Sequence, residues 1–89
     1  MNELTLSIWI MDDGGWTGEG VRISANCFSH SELERLIRVI NNKFDLDCTI
    51  QKIQFKNRYS IYIKKNSMDK LRALTLPHIH KSMLYKLGL

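Results

Sequence analysis

WIMDDGG, residues 9–15, is the stretch on which the reading of this chain turns. Leu4, Leu6, Ile8, Trp9, Ile10 and Met11 are followed by two adjacent carboxylates and two glycines. A helix over 3–13 with apolar side chains nearly all round is buried on several sides. In so small a chain, one of those sides is expected to pack on a second subunit, with Ser7 small enough to let another helix backbone approach. Gly14 and Gly15 are expected to end the helix through the positive φ common just past a helix terminus. The oddity is Asp12 and Asp13. A helix C-terminus carries partial negative charge, so each carboxylate there is unfavourable by roughly 0.3–1 kcal/mol. Something must compensate.

The rest of the composition sets bounds. The 89 residues make one domain, and a chain of this size buries only about 60–65% of its unfolded surface. An apolar fraction of 44% argues for a globular fold over disorder. No secretory signal or transit peptide is visible, and no apolar run approaches the roughly 20 residues that span a membrane, so no membrane partner is expected. Cys27 and Cys48 read as buried, reduced thiols. Net charge hides an asymmetry: residues 1–47 carry four basic against eight acidic side chains, net −4, whereas residues 48–89 carry nine against Asp69 alone, net +8. A basic half of that density suggests a polyanionic partner.

Beyond the first helix, Trp16 and Thr17 are expected in a first strand or turn, and Val21, Ile23, Ala25 and Cys27 then alternate with Arg22, Ser24 and Asn26, the period of a strand with one apolar and one polar face. Ser29 and Glu32 form a capping box ahead of a helix over about 30–43, lined by Leu33, Leu36, Ile37, Ile40 and Phe44. Residues 47–55 and 58–64 read as two strands joined at Lys56-Asn57. Cys48 and Ile50 share one face while Ile53 and Phe55 share the other, which predicts a bulge or bend near Gln51-Lys52. Asn66 is the expected cap of a third helix with Met68, Leu71 and Leu74 inward, and Pro77 ends it or opens another. Ile79, Met83, Leu84 and Leu87 could line a last short helix. The resulting order is αββαββα, an α+β fold with helices on one side of the strands and a polar face on the other.

Leu6-Ser7-Ile8-Trp9-Ile10-Met11-Asp12-Asp13-Gly14 resembles the signature of the LAGLIDADG homing endonucleases, in the form found in the second copy of single-chain members. Ser24–Ser29, Asn42–Cys48, Ile61–Ile63, Pro77–Ile79 and Met83–Leu87 resemble further stretches of that family in order. The resemblance implies a half-site domain with a four-stranded antiparallel saddle sheet. Its signature helix would pack on the twin helix of a second domain, in a homodimer or with a separately encoded half. It also implies that the sheet sits in the major groove of double-stranded DNA.

By the same resemblance, Asp13 is a metal-binding and catalytic carboxylate and Asp12 an auxiliary ligand through its carbonyl, for Mg²⁺ or Mn²⁺. Hard cations take such oxygens, and a cation would answer the misplaced carboxylates. Lys86 matches a lysine beside the metal cluster, and Gln51 lies near a polar residue that orders water at the active site. The sheet residues expected to contact DNA are Arg22, Ser24, Asn26, Thr49, Gln51, Arg58, Ser60, Tyr62 and Lys64, with Lys52 and Gln54 depending on where the bulge falls. Ile8 and Trp9 are bulky where the signature often has small residues, which would hinder tight helix pairing or serve a different partner. The alternative function is an inactive RNA-binding module, in intron splicing or an organellar ribosome. An organelle, a mitochondrion rather than a chloroplast, is the expected location.

Overall fold

The computed structural model describes residues 2–25, 28–53 and 58–89. Helix α1 spans Glu3–Asp13 and runs without a linker into strand β1, Gly14–Trp16. Strand β2 is Val21–Ser24, helix α2 His30–Phe44, strand β3 Cys48–Ile53 and strand β4 Arg58–Ile63. A 3-10 turn at Lys65–Ser67 leads into helix α3, Met68–Thr75, and two more 3-10 segments follow at Leu76–His78 and Lys81–Leu87. The expected αββαββα order is present, and the further short helix expected around Ile79–Leu87 is the 3-10 segment Lys81–Leu87. No helix among the described residues is long and apolar enough to cross a membrane.

The four strands form one antiparallel sheet in the order β1-β2-β4-β3. Val21, Ile23, Cys48, Ile61 and Ile63 face the helices and meet Leu6 and Ile10 of α1, Leu33, Ile40 and Phe44 of α2, and Leu71 of α3 in one core. Each such side chain, fully withdrawn from water, contributes about 1.5–3 kcal/mol. Asn2 caps α1 by accepting the Thr5 N–H at 2.8 Å. Ser29 and Glu32 form the expected capping box of α2. Asn41 ties α2 to the outer edge of the sheet: its side chain accepts the Cys48 N–H at 2.9 Å and donates to the Cys48 carbonyl at 3.3 Å. Cys48 is a free, buried thiol, as expected.

Several expectations are corrected. The β3–β4 register runs unbroken from Cys48↔Ile63 to Ile53↔Arg58, so there is no bulge at Gln51-Lys52. Lys52 therefore pairs with Tyr59 and shares the parity of Cys48 and Ile50, on the helix side of the sheet. Asn66 does not cap α3. Ser67 occupies that position, and its hydroxyl accepts the Asp47 N–H at 2.7 Å. Gly14 has φ −87°, not a positive value. Its requirement is for space: a Cβ there would lie 2.6 Å from the Ile10 carbonyl oxygen. Asn26, Cys27, Gln54 and the turn at Lys56-Asn57 lie outside the described residues.

Candidate nucleic-acid interface and metal-binding acids

Asp12 and Asp13 sit in the last turn of α1 with both side chains exposed. That turn contains no basic residue of its own. The missing cation arrives from 75 positions away, where the Lys86 ammonium donates to the Met11 carbonyl. A positive group on the last carbonyls of a helix opposes the partial negative charge there. The compensation that the sequence demands is thus partly supplied by the chain itself, and it places Lys86 beside the two acids. Asp13 also opens into a cleft of about 320 Å³ whose other walls are Gly14, Gly15, Trp16, Thr17, Arg22 and Ser24.

A divalent ion of the Mg²⁺ class takes about six oxygen ligands. Among the described residues there is no cluster of three or more His, Cys, Asp or Glu side chains able to hold a metal. Two exposed carboxylates at one helix foot therefore fit part of a coordination shell, with the balance left to water, phosphate oxygens or acids of another domain. The donor set is all oxygen, which suits a hard cation.

The face of the sheet away from the helices carries most of the expected contacts. Arg22, Tyr62 and Thr49 lie side by side across β2, β4 and β3, and Ser24, Ser60 and Gln51 form the adjoining row. Arg22 and Ser24 are exposed, while Thr49, Gln51 and Tyr62 are half-buried. Ser60, at the centre of the face, is 1% exposed and its hydroxyl has no hydrogen-bond partner among the described residues. Lys64 follows β4 and pairs with Asp47 at 3.6 Å, both about half exposed. Arg58 enters only through its backbone, paired with Ile53.

Asp13 shares its cleft with Ser24, at the β2 end of the Ser24–Ser60–Gln51 row, while Gln51 lies at the other end of that row on the edge strand β3. The structure sets the Lys86 ammonium on the carbonyl of Met11, the residue before Asp12, and it leaves Gln51 on the sheet among the base-contact candidates.

The outward side of α1 is also informative. Leu4 is 49% and Ile8 46% exposed, one turn apart on the same side of the helix. Ser7 is fully buried inside the domain, donating to the Glu3 carbonyl at 2.6 Å, so it is not part of that side. Trp9 turns inward, its ring edge-on to Phe28 with centroids 6.0 Å apart. Of the two bulky residues, only Ile8 faces a prospective partner.

Comparison with known proteins agrees with this architecture. The sequence matches the LAGLIDADG DNA endonuclease family over residues 1–71. The chain belongs to the LAGLIDADG family. It is 48% identical over 89 residues to the intron-encoded endonuclease ai4 of Dictyostelium discoideum, covering 100% of this chain and 56% of that protein. It is 40% identical over 89 residues to the cytochrome b mRNA maturase bI2 of Saccharomyces cerevisiae, covering 99% of this chain and 21% of that protein. The homing endonuclease I-WcaI bound to its DNA recognition sequence superposes with a TM-score of 0.88 at 32% identity, over 98% of this chain and 41% of that one. This LAGLIDADG domain thus spans roughly half, or less, of the proteins it resembles.

Proposed function

We propose that this domain is one half of a site-specific DNA endonuclease, completed by a second LAGLIDADG domain. The observation that carries the reading is the Lys86 ammonium on the Met11 carbonyl, next to Asp12 and Asp13 in the last turn of α1, with Asp13 sharing a cleft with Arg22 and Ser24 of a polar, partly basic sheet face. Similarity to an intron-encoded endonuclease and to a DNA-bound homing endonuclease supports it.

Asp13, with Asp12, would hold Mg²⁺ or Mn²⁺ between the two domains. A bound divalent ion supplies an activated water and charge stabilisation at the phosphodiester. Lys86, a cation already drawn to this helix end, would neutralise charge on the scissile phosphate. Arg22, Ser24, Thr49, Gln51 and Tyr62 would meet base edges, and Lys64 the backbone, while Ser60 is too buried to reach DNA. Leu4 and Ile8 would form the seam with the second domain. The names of the relatives, intron-encoded and directed at cytochrome b mRNA, support an organellar, mitochondrial setting.

A second reading has its own observation. Two relatives, at 40% and 36% identity, are named as mRNA maturases. The same sheet would then grip RNA, with the acids unused.

The decisive experiment assembles the chain with a second LAGLIDADG domain and presents a randomised DNA library with Mg²⁺. Cutting at a discrete sequence is expected, and Asp13→Asn abolishes it while leaving DNA binding intact. Binding should weaken by about 0.9 log units per log unit of salt for each phosphate neutralised. No cutting by the assembled protein, together with retention of intron-containing RNA, would replace the endonuclease with the RNA-binding reading.

A further inference from the structure

Lys86 is carried by a 3-10 segment rather than by an α-helix. The 3-10 run Lys81–Leu87 is closed by the Met83 N–H on the His80 carbonyl at 2.8 Å and the Gly88 N–H on the Tyr85 carbonyl at 3.0 Å. A 3-10 helix of this length is poorly bonded and not self-supporting. A lysine side chain has four rotatable carbons, so its ammonium is placed only as well as its backbone is held. Yet the Lys86 ammonium rests on the Met11 carbonyl.

What holds that backbone lies immediately after it. Leu87 is fully buried, and its carbonyl accepts from Arg72 Nε of α3 at 2.9 Å. Gly88, at φ +76°, lies so close to the Trp16 indole that a Cβ would stand 2.7 Å from the ring atoms Cε2 and Cζ2. The Arg72 guanidinium in turn lies over the same indole, 5.6 Å from its centroid. Arg72, Trp16 and the Leu87–Gly88 backbone therefore close on one another in a three-way clamp. Trp16 belongs to β1, which continues directly from α1. The clamp ties the lysine to the same stretch of backbone that carries Asp12 and Asp13.

We propose that Arg72 and Trp16 are positioning residues that set the Lys86 ammonium against the helix foot bearing Asp12 and Asp13. Its catalytic consequence rests on the endonuclease reading above, while the placement itself does not. Neither residue touches the acids. Arg72 acts through the Leu87 carbonyl and the indole, using its fixed Nε donor and its flat guanidinium face, a combination that lysine lacks.

The test reads the lysine directly. The assembled protein is acetylated with a water-soluble N-hydroxysuccinimide ester, and modification is followed at each lysine by mass spectrometry. Lys81, exposed in the same 3-10 run, is the internal reference. Lys86 should react several-fold more slowly than Lys81 in the parent protein. In Arg72→Gln it should rise to within about twofold of Lys81, with Lys81 unchanged; a misplacement of ~1 Å should also cost up to ~10²-fold in single-turnover cleavage at unaltered DNA affinity. If Arg72→Gln loses its circular dichroism spectrum, Arg72→Lys is read in the same way. A folded variant in which Lys86 stays protected overturns the proposal, as does an unprotected Lys86 in the parent protein. Should the parent protein not cut DNA, the endonuclease reading fails, and the acetylation pattern still decides whether the clamp places the lysine.

Discussion

Two adjacent glycines at the end of α1 provide a sharp test, because the structure assigns them opposite tolerances. A methyl group built on Gly14 lies 2.6 Å from the Ile10 carbonyl oxygen and 3.0 Å from both Ile10 Cα and Cγ2, whereas one built on Gly15 meets nothing within 4 Å. The Ile10 carbonyl is also the acceptor of the Gly14 N–H that closes the helix. The obstruction is mainly backbone and cannot be relieved by swinging a flexible side chain. Overpacking of this kind costs about 1–3 kcal/mol. Alanine in place of glycine returns about 0.4–1 kcal/mol by restricting the unfolded chain, provided its native conformation is allowed. Gly14 has φ −87°, so that gain applies. The net loss for Gly14→Ala is then roughly 0.5–2 kcal/mol from these opposing effects. Gly15→Ala should be neutral or slightly stabilising. Urea unfolding of both variants and the parent, with unchanged slopes, measures the difference. For a domain of this size each kcal/mol corresponds to about 4–8 °C in Tm. Equal stability of the two variants would refute the reading of Gly14 as a close-approach glycine.

Other expectations follow from single features of the fold. Ile8→Glu, on the exposed side of α1, should abolish association with a second LAGLIDADG domain and leave the unfolding midpoint of the lone chain almost unchanged, which sedimentation and urea titration would show together. Ser60→Ala should stabilise the free domain by about 1 kcal/mol, since a buried hydroxyl without a partner carries its full desolvation cost. Urea unfolding measures the change, and a stability loss instead would mean that the hydroxyl is bonded. Burial, aided by the neighbouring Asp47 charge, pushes the Cys48 thiol up to about 12. Above about pH 9 the unfolded chain releases this proton while the folded one retains it, so stability falls as pH rises from there towards 12. The fall should be shallower in Cys48→Val, and identical pH profiles for the two proteins would contradict the assignment.

The parts of the fold legible in sequence were those governed by local chemistry. The Ser29–Glu32 box starts α2 where its residues say it should, and the alternation of Val21 and Ile23 with Arg22 and Ser24 fixes both faces of β2. What the sequence left undetermined was set by tertiary partners. Because α1 is apolar nearly all round, no periodicity chooses its outward side, and Ser7 proved to be buried within the domain. Ser67 replaces Asn66 at the start of α3, and its hydroxyl is engaged by a backbone N–H twenty residues earlier. The expected bulge arose from reading polarity as a guide to face. Lys52, on the helix side, is nevertheless exposed, so burial no longer dictates residue type there. Among the candidate site residues, the acids and Lys86 were visible through family resemblance. The clamp of Trp16, Arg72 and Gly88 has no local sequence signal at all.

The contact between Lys86 and the Met11 carbonyl joins residues 75 positions apart. Closing a flexible loop of that length costs about 4 kcal/mol in chain entropy, beyond a constant term, before any contact returns it. The lysine therefore cannot be an early fixture of folding, and during synthesis it leaves the ribosome long after α1 and the sheet. A nascent chain that has released β4 but not that residue carries the acids and every strand of the polar sheet face without the cation that accompanies them. Vectorial synthesis thus orders what the chain carries: the acids and the polar sheet face come first, and the lysine at the helix foot comes later.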